Sequence, residues 1–136
     1  MSKRIEFLGA PIDALTMEET VAEIASRLDR GEFTQHVVIN VAKLIHMSTD
    51  CELRQAVTGC HLINADGMGI VWGARLLGIR VPERVAGVDL FFRLIELAAT
   101  RGEPVFLLGA KPDVVERTVQ ELRLRYPLLN LVDWHH

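Results

Sequence analysis

Short apolar runs alternate along this chain with longer stretches of helical period. Arg4-Ile5-Glu6-Phe7-Leu8 alternates and is stopped by Gly9 and Pro11, which predicts an outer strand followed by a turn. Thr16-Met17-Glu18-Glu19 has the spacing of a capping box, and Val21, Ile24, Ala25 and Leu28 follow on one helical face before Gly31 ends the run. His36-Val37-Val38-Ile39 is a short, β-branched run that ends at polar Asn40, a strand by composition. Residues 42–47 then read as helix, and Asp50 is a natural N-cap for a second helix over 51–57. A strand over 61–65, the Asp66-Gly67 turn and a helix to Leu77 closed by Gly78 come next. Beyond them the pattern predicts a helix over 88–100 ended by Gly102, and a buried strand over 104–108. A helix with Pro112 at its first position then runs to about Arg125, and a final strand covers 128–132.

Strands alternating with helices imply an α/β sandwich with a mainly parallel sheet. At 136 residues the chain has the size of one domain, and no repeat, low-complexity stretch or linker divides it, so residues 1–136 are expected to form a single core domain. In such folds ligands bind outside the carboxyl ends of the strands. Three strand ends carry suggestive residues: Asn40, the pair Asn64 and Asp66, and Gly109-Ala110-Lys111.

Composition narrows the partners. Hydrophobic residues make up 49% and charged residues 24%, with a formal net charge of −3, so nothing draws the chain globally to nucleic acid. The leading Met-Ser-Lys-Arg-Ile-Glu has no apolar segment of the export type, so Cys51 and Cys60 read as reduced thiols of a cytoplasmic protein. No apolar run reaches the ~18 residues that span a bilayer.

Asp66 invites two readings. It can cap the helix that begins at Gly67 and gain from the helix dipole. As a carboxylate in a partly desolvated cleft, it can also take a proton as a general base. Gly67 and Gly69 would let a ligand approach the backbone, although Gly69 and Gly73, four apart, suit helix packing equally well. Asn40 is either a turn residue or a donor and acceptor for sugar hydroxyls or a base edge. Arg84, just before a glycine and a helix start, is either half of a surface ion pair with Glu83 or Asp89 or a bidentate grip on a diphosphate. Gly109-Ala110-Lys111-Pro112 resembles a phosphate-facing helix N-terminus but lacks the Walker ending and the dinucleotide fingerprint. His36, His46 and His61 have no metal-ligand spacing and read as structural, Asp133, His135 and His136 read as loop, and no metal or cofactor is expected.

Five stretches taken together carry a more specific signal: "VVINVAKLIHM", "LINADGMGIVWGARLLG", "PERVAGVDLF", "VFLLGAKPDVVE" and "RYPLLNLV". In this order they resemble the WecG/TagA/CpsF family of bacterial glycosyltransferases over nearly the whole chain. The resemblance implies a Rossmann-like fold and an inverting, metal-independent transferase. Such an enzyme moves a sugar from a UDP-sugar to a polyprenyl-diphosphate-linked saccharide at the cytoplasmic face of the membrane, in exopolysaccharide or cell-envelope glycan assembly. It implies Asp66 as catalytic base and ligand roles for Asn40 and Arg84; the strand-end and turn positions Asn64, Gly67, Gly109 and Lys111 are expected as further substrate contacts.

Two departures from the family pattern stand out. Val38 occupies a position where family members often carry Thr, and relative to them the chain is expected to be C-terminally truncated. Membrane contact is expected from the family's C-terminal segment only, and self-association from the apolar run "MGIVWGARLLG" together with Phe91 and Phe92 on the next helix. An inactive nucleotide-sugar-binding or assembly module is the alternative reading.

Overall fold

The computed structural model describes residues 4–136. Met1-Ser2-Lys3, which contributed to the reading of the N-terminus, lies outside them. Within this range the protein is α/β, with six helices and six short strands paired two by two. Two of the three pairings are parallel. The chain divides into two compact units, one running to Leu90 and the other covering Phe91–His136.

The first unit opens with a hairpin, β1 (Arg4–Phe7) against β2 (Ala10–Asp13). The sequence predicted only the first of these strands. Leu8 and Gly9 both take positive φ, 49° and 78°, the geometry of a two-residue turn whose twist matches paired strands. Gly9 therefore reverses the chain into a second strand, and Pro11 pairs with Glu6 inside it.

Helix α1 (Met17–Asp29) starts as its capping box predicts. The Glu19 amide donates to Thr16 Oγ1 at 3.1 Å, and the Thr16 amide donates to Glu19 Oε2 at 2.8 Å. Strand β3 (His36–Ile39) runs parallel to β4 (Leu62–Ala65), with His36 opposite Leu62 and Ile39 opposite Ala65. Between them, α2 (Val41–Thr49) and α3 (Cys51–Thr58) are separated at Asp50, whose carboxylate accepts from the Leu53 amide.

Helix α4 (Met68–Leu76) follows β4, with Ile70, Val71 and Ala74 buried. They join Phe7, Ile12, Ile39, Met47, Val57 and Ile63 in one apolar core. Gly69 and Gly73 give α4 its close approach to this unit. A Cβ on Gly69 would meet Val41 Cγ2 at 2.7 Å, and one on Gly73 would meet Phe7 Cζ at 3.0 Å. The packing reading of the glycine pair is the one realised.

Helix α5 (Gly87–Arg101) contains the boundary between the two units. The second unit adds β5 (Pro104–Leu108), α6 (Pro112–Arg125) and β6 (Asn130–His135), with β5 parallel to β6. Ile95, Ala98, Val115, Val119 and Leu122 are its buried apolar residues. Two expectations are corrected. Strand β5 is not buried: Val105 and Leu107 are half-buried while Phe106 and Leu108 are exposed, the period-two signature of a sheet covered on one face. The last strand runs on to His135, so Asp133 and His135 lie in β6 rather than in a loop.

Gly69→Ala should destabilise the fold by about 1–3 kcal/mol through overpacking, because the new methyl overlaps Val41. Pairing it with Val41→Ala should recover part of that loss. Urea unfolding of the two single variants and the double variant checks this, and strict additivity would refute the proposed clash.

Candidate active site

The parallel pairing of β3 and β4 sets their carboxyl ends side by side. One residue beyond the paired strands, the Asp66 amide still donates to Ile39 O at 2.8 Å, which brings the Asn40 and Asp66 loops together. On the other flank of β4, the Val85 amide donates to Ala65 O at 2.8 Å. Strand β4 thus ends between β3 and the segment that leads into α5.

Asp66 does not cap the helix that follows it. The N-cap of α4 is Gly67, at φ 111°, and no side chain caps that helix. The Asp66 carboxylate instead reaches across to the first residue of α5, where the Gly87 amide donates to Oδ2 at 3.2 Å. Gly87 leaves room for this. A Cβ there would stand 3.3 Å from Val38 Cγ2 and 3.8 Å from Asp66 Oδ2. Asp66 is half-buried, so one carboxylate oxygen is anchored by a backbone amide while the group stays within reach of solvent. Gly87 was not among the residues singled out from the sequence. Its only signal there is a glycine at a helix start, and the contact spans 21 positions.

Asn40 is exposed and caps α2, its Oδ1 accepting from the Lys43 amide at 2.8 Å. The turn reading is therefore realised, at a point beside Asp66. Lys43 also folds back, its ammonium donating to Val38 O at 2.8 Å. Arg84 is exposed, and its closest carboxylate contact is Asp89 Oδ2 at 3.9 Å, too long for a hydrogen bond. Glu83 is engaged elsewhere, accepting from the Met17 amide. Gly67 lies in the β4–α4 turn.

Asn64 is placed differently from the strand-end residues. It is fully buried, with Oδ1 2.8 Å from His36 Nε2 and Nδ2 donating to Thr20 Oγ1 at 3.0 Å; Thr20 in turn donates to Thr16 O. Its amide is committed to the interior beneath the strand end. Since Oδ1 accepts, Nε2 of His36 carries the hydrogen. Burial pushes this imidazole below its ordinary value, opposed by the Asn64 hydrogen bond and the Asp13 charge and reinforced by the Lys43 charge. His36 is therefore structural, as its lack of ligand spacing implied.

Gly109 and Lys111 belong to the second unit. Gly109 has φ 109° and donates its amide to His135 O, Ala110 is also left-handed at 68°, and Lys111 is the N-cap of α6 without a side-chain capping bond. Among the described residues, no group of three or more His, Cys, Asp or Glu side chains converges to hold a metal. None of the helices described is long and apolar enough to cross a membrane.

Residues 5–136 match the family described as Glycosyl transferase WecG/TagA/CpsF family. The chain belongs to that family. The Asp66 carboxylate stands just beyond the carboxyl ends of two parallel strands, the region in which α/β sheets commonly receive ligands. The family match spans both units, so Gly109 and Lys111 fall within it together with Asp66.

The His36 environment carries a pH dependence. In the unfolded chain the imidazole takes up a proton near its ordinary 6.5, whereas in the fold it does so only at lower pH. The stability contributed by its neutral form is thus fully present above that value and falls as pH drops below it. Urea midpoints at about pH 7.5 and about pH 5.5 should separate more in the parent than in His36→Gln, which keeps a donor for Asn64 but does not titrate. Equal separations would refute the assignment.

Proposed function

We propose that the chain is the core of an inverting glycosyltransferase with a Rossmann-like sandwich. It would transfer a sugar from a UDP-sugar to a polyprenyl-diphosphate-linked saccharide in exopolysaccharide or cell-envelope glycan synthesis. The observation that carries this reading is the Asp66 carboxylate, released from its own helix and held by the Gly87 amide through one oxygen at the end of β4. Inversion at the anomeric carbon needs a base on the face opposite the leaving group. Asp66 takes the acceptor hydroxyl proton as that oxygen bonds to the anomeric carbon; the bond to UDP breaks, and UDP leaves with its electron pair.

Arg84 supports the leaving diphosphate. It sits three residues before the first residue of α5, exposed and held only in a long surface ion pair of 3.9 Å with Asp89, which a diphosphate can displace in favour of bidentate contact. Asn40, beside Asp66, offers its amide to a sugar hydroxyl. Gly67 allows close approach of the ligand to the turn, and Asn64 acts from below by fixing β4. Gly109 and Lys111 are proposed as further donor contacts.

Asp66→Asn should abolish transfer, with turnover down by about a thousandfold or more, while thermal stability and UDP affinity stay near those of the parent. The amide keeps an acceptor for Gly87 but cannot take the proton. Near-normal turnover would remove Asp66 from the base role. Arg84→Ala should weaken UDP binding by roughly 10–100-fold, the range for hydrogen bonds to charged groups, with Lys rescuing only part of it. Calorimetric titration with UDP decides this, and unchanged affinity would leave Arg84 a surface residue.

A further inference from the structure

Arg84 and the Gly87 amide both serve the proposed site, yet residues 79–86, which carry the first and lead to the second, form neither helix nor strand. Bonds at alternate residues fix this stretch instead. The Val85 amide donates to Ala65 O at 2.8 Å, and the Gly87 amide to Asp66 Oδ2 at 3.2 Å, both at the end of β4. Glu83 makes the third bond, to a different element: its Oε1 accepts from the Met17 amide at 2.9 Å, across 66 positions of the chain. Arg84 therefore stands between two fixed neighbours, one tied to α1 and the other to β4.

Met17 is the first residue of α1, and the first amides of a helix have no partner within it. Thr16 Oγ1 serves the Glu19 amide, and Glu83 serves that of Met17, at the helix end where a carboxylate is favoured. The same turn is also bonded to β4. Thr20 donates to Thr16 O and accepts from Nδ2 of buried Asn64, two residues before Asp66. One helical turn is thus joined both to the strand beneath Asp66 and to the residue next to Arg84. Packing leaves the position of Arg84 open, because Pro82, Glu83 and Arg84 are three exposed residues between buried Val81 and Val85. Pro82 lines an open depression with Leu15, Thr16 and Glu19. Glu83 is the middle residue of the three, so its bond sets where Arg84 stands.

We propose that Glu83 is a positioning residue for the diphosphate contact: by accepting from the Met17 amide it holds 82–84 on the first turn of α1 and keeps Arg84 in place relative to Asp66. This rests on the reading of Arg84 as the diphosphate contact. Glu83 itself touches no substrate and moves no proton. Its acceptor oxygen is what matters, so a neutral amide oxygen in the same place serves as well. A carboxylate that only stabilised α1 would leave Arg84 and the Gly87 amide unaffected.

Amide hydrogen exchange by NMR and calorimetric titration with UDP, both on the full chain, test this from the two ends of the bond. Glu83→Ala removes the acceptor. Met17→Pro removes the donor; proline suits the first helical position, and Thr16 before it is already extended at ψ 171°. Each variant should speed exchange of the Val85 and Gly87 amides about tenfold relative to amides of α3, and weaken UDP binding about three- to tenfold. Glu83→Gln should stay within about twofold of the parent in both measurements. Adding Glu83→Ala to Arg84→Ala should weaken UDP binding no further than Arg84→Ala alone. Far-UV circular dichroism verifies that each variant is folded. The proposal is overturned by unchanged exchange at Val85 and Gly87, or by a rise that is equal throughout the first unit. It is overturned equally by a loss in Glu83→Gln as large as in Glu83→Ala, or by losses of UDP affinity that add to that of Arg84→Ala. A parent that binds no UDP sinks the diphosphate reading of Arg84, and the exchange pattern then decides by itself whether Glu83 fixes the segment.

Discussion

Complete burial of β4 is the constraint on which the first unit depends. Leu62, Ile63, Asn64 and Ala65 are all buried, so every polar group on this strand must find a partner inside the protein. One edge is satisfied by β3. On the other, Asp13 of the hairpin accepts from the Ile63 amide at 2.8 Å, and the Ala65 carbonyl receives the Val85 amide. That use of a carboxylate as a backbone partner buries a charge, and Arg4 answers it with two bonds of 2.9 Å from Nε and Nη2. A third contact from Arg4 Nη2 to His61 O ties the start of the chain to the entrance of β4. Removing either member of the pair would leave a desolvated charge or an unpaired strand amide, which makes the arrangement costly to disturb even where its net contribution to stability is small.

The elements that sequence reasoning located well are those whose signals are local. The capping box of α1, the Asp50 cap of α3, Gly78 after α4 and Pro112 at the start of α6 act over three or four residues, and each stands where the pattern placed it. The hairpin was missed because its turn is Leu8-Gly9, without the Asn or Asp that announces a tight turn, and because proline in the returning strand reads as a stop. The side on which Asn64 lies was also hidden. When both faces of a strand are buried, hydrophobic alternation cannot fix which way a given residue points. Only the fold brings His36 and Thr20 to the amide, from positions 28 and 44 residues away. Asp66 was visible as a carboxylate at a strand end, but its bond to Gly87, which separates it from an ordinary helix cap, is long-range and carries no local signature.

Two polar layers of different character therefore meet on one strand. The lower layer holds Asn64 and Thr20, both fully buried, and half-buried His36; Asn64 bonds to both neighbours, and Thr20 passes its hydrogen to Thr16 O. The upper layer, Asn40 with Asp66 and the Gly87 amide, keeps part of its capacity toward water. A buried and satisfied network specifies geometry, and an incompletely satisfied one above it can bind and react. Residues 64 and 66 stand two apart on the chain, so the rigidity of the first is passed to the second with little backbone between them to absorb error.

The crossing from α4 to α5 has a consequence for how this sequence can change over evolutionary time. Val85 and Gly87 each spend a backbone amide on β4 and its extension, one on a carbonyl and the next but one on a carboxylate. The spacing of these two amides is matched to the step from Ala65 to Asp66. Inserting or deleting a single residue between Val85 and Gly87 would break that registration, turning a different amide toward the carboxylate and setting a Cβ against Val38. Exposed connections ordinarily tolerate such length changes well. The last three residues of this one are measured against the strand they cross, so length changes should be absent there, while drift appears as substitutions at solvent-facing positions such as Pro82.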